Sequence, residues 1–316
     1  MTVLVTGATG FLGSSLCRAL ARRGWDVRAL RRDSSDVSAL SDVDLEWVVG
    51  DVLDEASLRD AMDGCDAVFH LAGIGLTAGP PETVRRVNVT GTKNALSAAE
   101  AADVDRFVFT STAGTRRSDG VADETDTAPP IGAYQESKAR AEALVDHRAA
   151  NGLDAVTVHP TSVFGPGDQE FTGRLLSLVT DPKMVAYLPG GVSFVSVDDV
   201  VRGIIAAHED GETGEHYILG GENLTFERAL AILASRADGS RPRVEVPPEA
   251  VKLLGYVAGA ADQLLDARFF PFDPDMAELS TQTLFYTSEK AQSELGYDSQ
   301  PLDAHADAAI EWYEES

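Results

Sequence analysis

Short apolar runs and longer amphipathic stretches alternate along the first half of the chain. The short runs are rich in β-branched residues, which is typical of buried strands, whereas the longer stretches repeat their apolar positions at helical spacing. Strands are predicted at residues 2–6, 26–30, 45–49, 68–71, 106–111 and 155–159, and helices at 11–23, 56–62, 81–102 and 133–151. This alternation predicts an α/β fold with a doubly wound parallel sheet and helices on both faces.

The pattern changes after about Gly165, where glycine and proline cluster at residues 164–167 and 188–191. Isolated short strands such as 215–219 then separate the helical stretches, several of which begin beside Asp, Ser or Thr caps. Helices are predicted at residues 225–236, 248–265, 288–295 and 302–314. We therefore expect two parts, residues 1–165 and a smaller, mainly helical lobe of residues 166–316, with later segments free to return to the first part.

Composition is that of a globular protein, with 44% apolar and 24% charged residues in 316. The opening segment MTVLVTGATG lacks the basic flank and apolar core of a secretory signal, and no later stretch is apolar for the ~18 residues of a membrane span. These features predict a cytoplasmic protein. Its two cysteines, Cys17 and Cys65, lack the spacing of a metal or redox site and are interpreted as core residues.

The chain is strongly acidic, with 51 acidic and 26 basic residues and a formal charge of -25. Because this field repels phosphates, it argues against nucleic-acid and anionic-membrane partners. The acid is spread along the whole chain and lysine is scarce, which suits a surface adapted to high salt. We therefore hypothesise a halophilic source.

A glycine-rich turn links the first predicted strand to the first predicted helix, in the segment TGATGFLG. Gly7 permits the tight turn, Gly10 lets the backbone approach a pyrophosphate, and Gly13 lets helix and strand pack closely. The helix N-terminus adds unpaired N–H groups and a partial positive charge, and Phe11 and Leu12 belong to the same turn. This position at the first strand–helix junction predicts dinucleotide binding.

Residues at the ends of the next strands bear on the choice of cofactor. Arg31 and Arg32 occupy the place where NAD enzymes carry a ribose-binding carboxylate. Because a guanidinium pairs bidentately with a 2′-phosphate, they favour NADP(H), with NAD(H) as the alternative if both arginines are solvated surface residues. Further cofactor contacts are predicted at the ends of strands three and four, at Asp51, Val52, Leu71, Ala72 and Gly73.

Tyr134 and Lys138 are four residues apart, and therefore share one face of the predicted helix 133–151. A phenol with a pKa of ~10 must exchange a proton near neutrality, and an adjacent ammonium lowers that pKa. The preceding strand ends in hydroxyl residues that include Ser111 and Thr112, which could hydrogen-bond a substrate oxygen. The order of phosphate turn, hydroxyl strand and Tyr-Lys helix predicts a catalytic site.

Seven segments together resemble one family: TGATGFLG, DAVFHLAG, NVTGTKN, FVFTSTAGT, YQESK, HPTSVFGPG and FVSVDDVV. In their order the chain is similar, over essentially its full length, to extended short-chain dehydrogenases/reductases, also called the NAD-dependent epimerase/dehydratase family. The resemblance implies a Rossmann-type fold and catalytic roles for Thr112, Tyr134 and Lys138, with Ser111 as the alternative hydroxyl. It also implies cofactor-site roles for Asn88, Pro160 and Val163.

The resemblance does not identify one substrate. VFTSTAGT is similar to dihydroflavonol-reductase-like enzymes, whereas residues 214–224 and 287–297 resemble hopanoid-associated sugar epimerases. Sugar-nucleotide dehydratases of the family carry an acidic pair after the catalytic threonine, but this chain has Ala113 and Gly114. Nucleotide-sugar enzymes commonly carry an arginine before the VxVDD block, and residues 190–194 contain none.

We therefore rank the functions in three classes. The first is an oxidoreductase that interconverts an external carbonyl and alcohol, and the second is a sugar or nucleotide-sugar epimerase that retains its cofactor. A non-catalytic NADP sensor ranks third, because a sensor has no need of proton-transfer groups. The expected partner is a small-molecule carbonyl, alcohol or sugar, and the family resemblance implies a homodimer paired through helices that include 81–102 and 133–151.

Overall fold

The computed structural model describes residues 1–76, 79–183, 185–265 and 274–315. Its strands are β1 (Thr2–Thr6), β2 (Asp26–Arg31), β3 (Glu46–Val49), β4 (Ala67–His70), β5 (Arg106–Thr110), β6 (Val121–Ala122), β7 (Ala155–Pro160), β8 (Ser162–Phe164), β9 (Ala186–Tyr187), β10 (Gly191–Ser196), β11 (His216–Leu219), β12 (Glu222–Thr225), β13 (Val244–Glu245) and β14 (Thr283–Tyr286). Its helices are α1 (Phe11–Arg22), α2 (Glu55–Met62), α3 (Pro81–Arg85), α4 (Gly91–Ala101), α5 (Gly132–Ala149), α6 (Phe171–Thr180), α7 (Val197–Asp210), α8 (Phe226–Arg236), α9 (Pro248–Leu265), α10 (Pro274–Leu279), α11 (Glu289–Leu295) and α12 (Leu302–Glu315).

The main sheet has seven parallel strands in the order β11-β7-β5-β4-β1-β2-β3. The chain builds outward from β1 to β3 on one side and then from β4 to β11 on the other. The strand order therefore reverses between β1 and β4, which is where open α/β sheets bind ligands. The predicted doubly wound α/β fold is confirmed.

Both faces of this sheet are buried, as a parallel sheet requires. Along β1, Val3 and Val5 join the core beneath α1 and α7, whereas Leu4 joins the core beneath α2, α4 and α5. In β5, Val108 and Phe109 divide in the same way between the two cores. Alternation with a period of two thus places a continuous apolar strand between two helical layers.

The predicted helix over residues 81–102 is divided in three. A π-helical turn, Arg86–Thr90, separates α3 from α4. This turn contains the buried Asn88, whose side-chain amide bonds the main chain of Ile74 on both its oxygen and its nitrogen. The π-helical turn is wider than an α-helical one, which fits the close approach of the Asn88 side chain to the segment after β4.

The later part of the chain both returns to the main sheet and forms a second unit. β11 pairs in parallel with β7, and α7 packs on α1. The second unit contains the helices α6, α8 and α12 around an apolar cluster, and a five-stranded sheet of β12, β10, β14 and β6 with β8 paired to β10. Neither this sheet nor α6 and α7 were predicted. No helix of the described ranges is long and apolar enough to cross a membrane.

Candidate active site

A cleft of about 640 Å³ lies at the reversal of the strand order, where the carboxyl ends of the central strands meet. The cleft residues that were predicted from the sequence are Gly7, Gly10, Phe11, Leu12, Gly13, Arg31, Arg32, Asp51, Val52, Leu71, Ala72, Gly73, Thr112, Tyr134, Lys138, Pro160 and Val163. The structure thus brings together residues that are up to 156 positions apart, between Gly7 and Val163.

The turn between β1 and α1 is crowded and lined by main chain. Gly7 has a φ of +72°, and a Cβ added to it would lie 2.8 Å from the amide nitrogen of Ala72. A Cβ on Gly13 would lie 2.1 Å from the carbonyl oxygen of Gly7. Only glycine fits these two positions, and the turn leaves room for a ligand instead of a side chain.

The N-terminus of α1 is open to an anion. Gly10 is its N-cap residue, no side chain caps the first turn, and that turn contains no acidic residue. The unpaired N–H groups and the partial positive charge of the helix therefore have no partner from its own side chains. These features fit a dinucleotide pyrophosphate.

Arg31 and Arg32 stand at the rim of the cleft, at the end of β2. Arg31 is half-buried and its Nη1 donates to the carbonyl oxygens of Arg32 and Asp33, at 3.4 and 3.3 Å. Arg32 is exposed, and its backbone N–H donates to the hydroxyl of Ser35, which also lines the cleft. Neither guanidinium has a carboxylate partner among the described residues, so both are free to receive an anion.

Two other predicted cofactor residues, Asp51 and Asn88, lie in different surroundings. Asp51 is half-buried at the end of β3, and its Oδ1 accepts from the backbone N–H of Leu53 at 2.9 Å. Asn88 differs from the rest because it lies behind the cleft wall, where it bonds Ile74 and the hydroxyl of Ser137. Its role in the structure is to fix the main chain between β4 and the cleft.

Tyr134, Lys138 and Thr112 converge at the inner end of the cleft. The Lys138 ammonium is buried and donates to the carbonyl oxygen of Thr110 at 2.7 Å, with its Nζ 4.9 Å from the centroid of the Phe109 ring. The Thr112 hydroxyl faces the Tyr134 phenol, and hydrogen bonding from it lowers the pKa of Tyr134. Two hydroxyls and an ammonium are therefore available to one substrate oxygen.

Ser111 and Thr112 have different partners, although both line the cleft. The hydroxyl of Ser111 donates to the Glu142 carboxylate in a buried contact. The hydroxyl of Thr112 accepts from the backbone N–H of Gly114 at 3.2 Å and contacts Tyr134. The structure therefore directs the Thr112 hydroxyl, and not that of Ser111, toward the tyrosine.

Burial controls the protonation of the two catalytic candidates. It raises the pKa of Tyr134; the hydrogen bond from Thr112 opposes the rise, and the nearby Glu142 carboxylate adds to it. Burial lowers the pKa of Lys138 to about 8, against the opposing effect of Glu142. At neutral pH the phenol therefore keeps its proton, and the lysine is charged but close to losing its own proton.

Three further polar residues in or near the cleft bear on ligand binding, and of these Thr161 and Glu142 were not predicted. The hydroxyls of Thr110 and Thr161 are buried and have no hydrogen-bond partner in the described part of the chain, and both line the cleft. Such orphaned groups fit a polar ligand, because an unpaired buried hydroxyl is costly. The third, Glu142, follows Lys138 by one helical step of four residues, a spacing that could have revealed it.

Comparison with known proteins agrees with this geometry. The model of the NAD dependent epimerase/dehydratase family matches residues 3–220. The chain is 34% identical to sterol demethylase protein B of Methylococcus capsulatus, over 100% of this chain and 99% of that protein. It is also 34% identical to a Synechocystis sp. protein that carries the name dihydroflavonol 4-reductase, over 98% and 94% of the two chains. The crystal structure of gox2253 superposes with a TM-score of 0.87 at 34% identity, over 99% of this chain and 98% of the other.

Proposed function

Because the chain belongs to the NAD dependent epimerase/dehydratase family, we propose that it reduces an external carbonyl compound, or oxidises the matching alcohol, by direct hydride exchange with a nicotinamide cofactor. The chain is an extended short-chain dehydrogenase/reductase, an enzyme that uses a nicotinamide cofactor as an oxidoreductase or epimerase. The observation that carries the proposal is the convergence of Thr112, Tyr134 and Lys138 at the inner end of the cleft.

Each residue has a separate task in this proposal. When bound, the nicotinamide supplies a hydride to the carbonyl carbon or accepts one from the alcohol carbon. Tyr134 gives its phenolic proton to the carbonyl oxygen, and the Thr112 hydroxyl holds that oxygen beside it. The ammonium of Lys138 stabilises the phenolate that remains, because opposite charges attract strongly in a buried site.

Two features of this chain favour reduction over the other reactions of the family. The segment after Thr112 supplies Ala113 and Gly114, so the acid and base that dehydration needs are missing there. Residues 190–194, which precede the VxVDD motif, contain no arginine to hold the diphosphate of a nucleotide sugar. A sugar epimerase with retained cofactor is therefore the second candidate.

The proposed cofactor is NADP(H). Arg31 and Arg32 lie at the cleft rim with no carboxylate partner in the described ranges, and the helix N-terminus of α1 is free for the pyrophosphate. A 2′-phosphate would give both guanidinium groups an anionic partner. In the division we propose, residues 1–165 with the returning β11 bind the cofactor, and the later unit shapes the substrate side.

Native mass spectrometry and a coupled absorbance assay test the reaction class. We expect the purified protein to carry no cofactor and to consume NADPH in proportion to added carbonyl compound. An epimerase would instead retain NAD through purification and interconvert its sugars without net change in free cofactor. That second result would overturn the proposal.

A further inference from the structure

The catalytic face of α5 continues beyond the lysine. Tyr134, Lys138, Glu142 and Asp146 follow one another at intervals of four residues. Because an α-helix has 3.6 residues per turn, these side chains form one stripe that drifts by about 40° at each step. The stripe starts in the cleft with Tyr134 and ends at Asp146, whose side chain is 49% exposed.

Glu142 is the buried acid in the middle of this stripe, with 4% of the residue exposed. One carboxylate oxygen accepts from Ser111, and the other accepts from Nη1 of Arg116 at 2.9 Å. The first oxygen also lies 3.8 Å from Nδ1 of His159. Glu142 thus anchors the chain just after β5 from beneath.

Two histidines form the second part of the cluster. In the pairing of β7 with β11, His216 lies opposite Thr157, so it is the diagonal neighbour of His159 on the same face. Nε2 of His159 and Nδ1 of His216 are 2.8 Å apart. At the two ends, Nδ1 of His159 is 3.2 Å from the carbonyl oxygen of Thr112, and Nε2 of His216 is 2.9 Å from Asp146 Oδ1.

The line of contacts from Thr112 through the two histidines to Asp146 requires a fixed number of protons. The line has three gaps, which lie between Thr112 and His159, between His159 and His216, and between His216 and Asp146. Each gap needs one hydrogen from an imidazole ring, since the groups at the two ends of the line, the Thr112 carbonyl and the Asp146 carboxylate, are both acceptors. Two neutral imidazoles carry only two ring protons. The three hydrogen bonds can therefore form together only when the pair holds one additional proton.

The surrounding charges can balance that proton. Glu142 and Asp146 face the pair from α5, and Arg116 faces it from the segment after β5, with Nη2 3.1 Å from Nδ1 of His216. Two carboxylates, one guanidinium and one shared proton sum to zero. Burial, Arg116 and the neighbouring His216 lower the pKa of His159 well below its ordinary value, and the Thr112 carbonyl and Asp146 oppose this, so the additional proton is lost as the pH rises toward neutrality.

The same cluster has the composition of a metal site, because ligand atoms of Glu142, His159 and His216 lie within 4.8 Å of one another. Arg116, however, already contacts both the carboxylate and an imidazole of the three. A guanidinium among the ligands disfavours a second cation at this place. The arrangement is that of a hydrogen-bonded array.

We propose that Glu142 and the proton-sharing pair His159–His216 are positioning residues that hold Ser111 and Thr112 in place for catalysis. Glu142 holds the Ser111 side chain, and His159 holds the Thr112 carbonyl when the pair carries its additional proton. Loss of that proton removes the His159 contact and leaves the Thr112 carbonyl held only by the backbone N–H and hydroxyl of Thr115, at 3.3 and 2.9 Å, among the described residues. The catalytic consequence rests on the proposed function, but the proton count does not.

Asp146→Asn is the central test, because this partly exposed end of the array can be changed without disturbing the core. We expect the cofactor Kd to stay unchanged, and the loss of turnover with rising pH to begin at a lower pH, since the pair has lost an anion that favours its proton. Asp60→Asn, which changes an exposed carboxylate on α2, is the matched control and should behave as wild type. Glu142→Gln should lower kcat by up to about 100-fold with the cofactor Kd unchanged, as expected of a displaced reacting group.

Nitrogen-15 spectra of the histidine rings in the cofactor-saturated enzyme test the array without any substrate. We expect the His159 ring to take up the additional proton below neutral pH, the Thr112 methyl resonance to shift with the same midpoint, and both midpoints to fall in Asp146→Asn. If this titration is seen while no carbonyl compound is turned over, the proposed function fails and the array stands. A His159 ring that stays neutral from pH 9 down to pH 4, a Thr112 signal unaffected by Asp146→Asn, or stoichiometric Zn²⁺ binding that His216→Gln abolishes would each overturn the inference.

Discussion

The ammonium of Lys138 lies beneath the end of β5 and donates to the carbonyl oxygen of Thr110 at 2.7 Å. This contact secures the charge beside the proposed catalytic Tyr134, but it satisfies only one of the three ammonium protons. The residue is 6% exposed, and burial lowers its pKa from 10.5 to about 8. The catalytic cation is therefore held in a place that disfavours its charge.

Replacing this cation by an apolar side chain should stabilise the folded protein. The lowered pKa of Lys138 corresponds to a cost of ~3 kcal/mol for keeping the ammonium charged in the folded protein. Substitution removes this cost but also removes the hydrogen bond to Thr110, which stabilises the fold by ~1 kcal/mol. We expect Lys138→Met to raise the free energy of unfolding at pH 7 by about 2 kcal/mol and to abolish turnover. Urea unfolding measures the first effect, and Lys93→Met, at an exposed position of α4, should change stability little.

The sign of the pH dependence provides a second check on Lys138→Met. Because the folded pKa is depressed, the unfolded chain binds the proton more tightly between pH 8 and the unfolded value. Wild-type stability should therefore rise relative to that of Lys138→Met as the pH increases above about 8, and the difference should be constant below it. A difference that is independent of pH up to 10 would contradict the assigned burial cost.

Removing the phenolic hydroxyl should stop proton transfer and leave the fold intact. We expect Tyr134→Phe to reduce turnover at least ~100-fold while the cofactor Kd changes little, because Tyr134 acts as the acid in reduction. Steady-state kinetics and cofactor fluorescence are the two measurements. Turnover equal to wild type would remove Tyr134 from the mechanism.

Ser111 and Thr112 can be separated by a conservative pair of substitutions. Since the Thr112 hydroxyl contacts Tyr134, Thr112→Ser should retain most of the turnover and Thr112→Ala should lose a large part of it. Changes that remove only the methyl group are thus expected to matter little at this position. Equal activity of the two variants would show that the catalytic hydroxyl is elsewhere.

Cofactor choice is tested at the end of β2. Replacing Arg31 or Arg32 by serine should weaken NADPH far more than NADH, by ~1.5–3 kcal/mol for each charge-assisted hydrogen bond lost. Both cofactors are titrated by fluorescence at one ionic strength, because salt screens exposed charges. Arg228→Ser, at an exposed position of α8, serves as the control for a lost charge. Equal losses for NADPH and NADH, or tighter wild-type binding of NADH, would contradict an NADP preference.

The acidic surface leads to a prediction about salt. The excess of 51 acidic over 26 basic residues produces repulsion that extends ~10 Å at 0.1 M salt and ~3 Å at 1 M. We expect Tm to rise between 0.1 and 2 M KCl if the chain is adapted to high salt. Chloride is chosen because sulfate strengthens apolar burial in any protein. A Tm that stays constant or falls would contradict a halophilic origin.

Local pattern predicted the strands of the main sheet and the helices α1, α2 and α5 to within one or two residues at each end, but it missed α7 and the division of the helix over residues 81–102. β11 illustrates what local pattern could not supply, since residues 215–219 were expected as a strand but their partner was not known. Its register with β7 depends on packing across more than 50 residues of sequence. The second sheet was missed because strands such as β8 are too short to show a hydrophobic period along the sequence.

The candidate site was predictable from the sequence where all the residues of a motif lie in one short segment, whose local structure sets their relative positions. The turn after β1 and the four-residue step from Tyr134 to Lys138 are both of this kind. The array behind them is different, because His159 and His216 meet only through the β7–β11 pairing. Sequence spacing contains no signal for such a diagonal contact, whereas Glu142 could have been found by extending the stripe of α5.

The crowded turn after β1 limits how this enzyme can change its cofactor. With Gly13 packed on Gly7 at a distance that excludes a methyl group, neither of these two positions can accept a side chain. Variation in cofactor affinity must then arise at its far end, where Arg31, Arg32 and Ser35 stand at the cleft rim. Exchange of one dinucleotide for the other is therefore expected to depend on these three rim positions, because Gly7 and Gly13 of the turn have no room for a side chain.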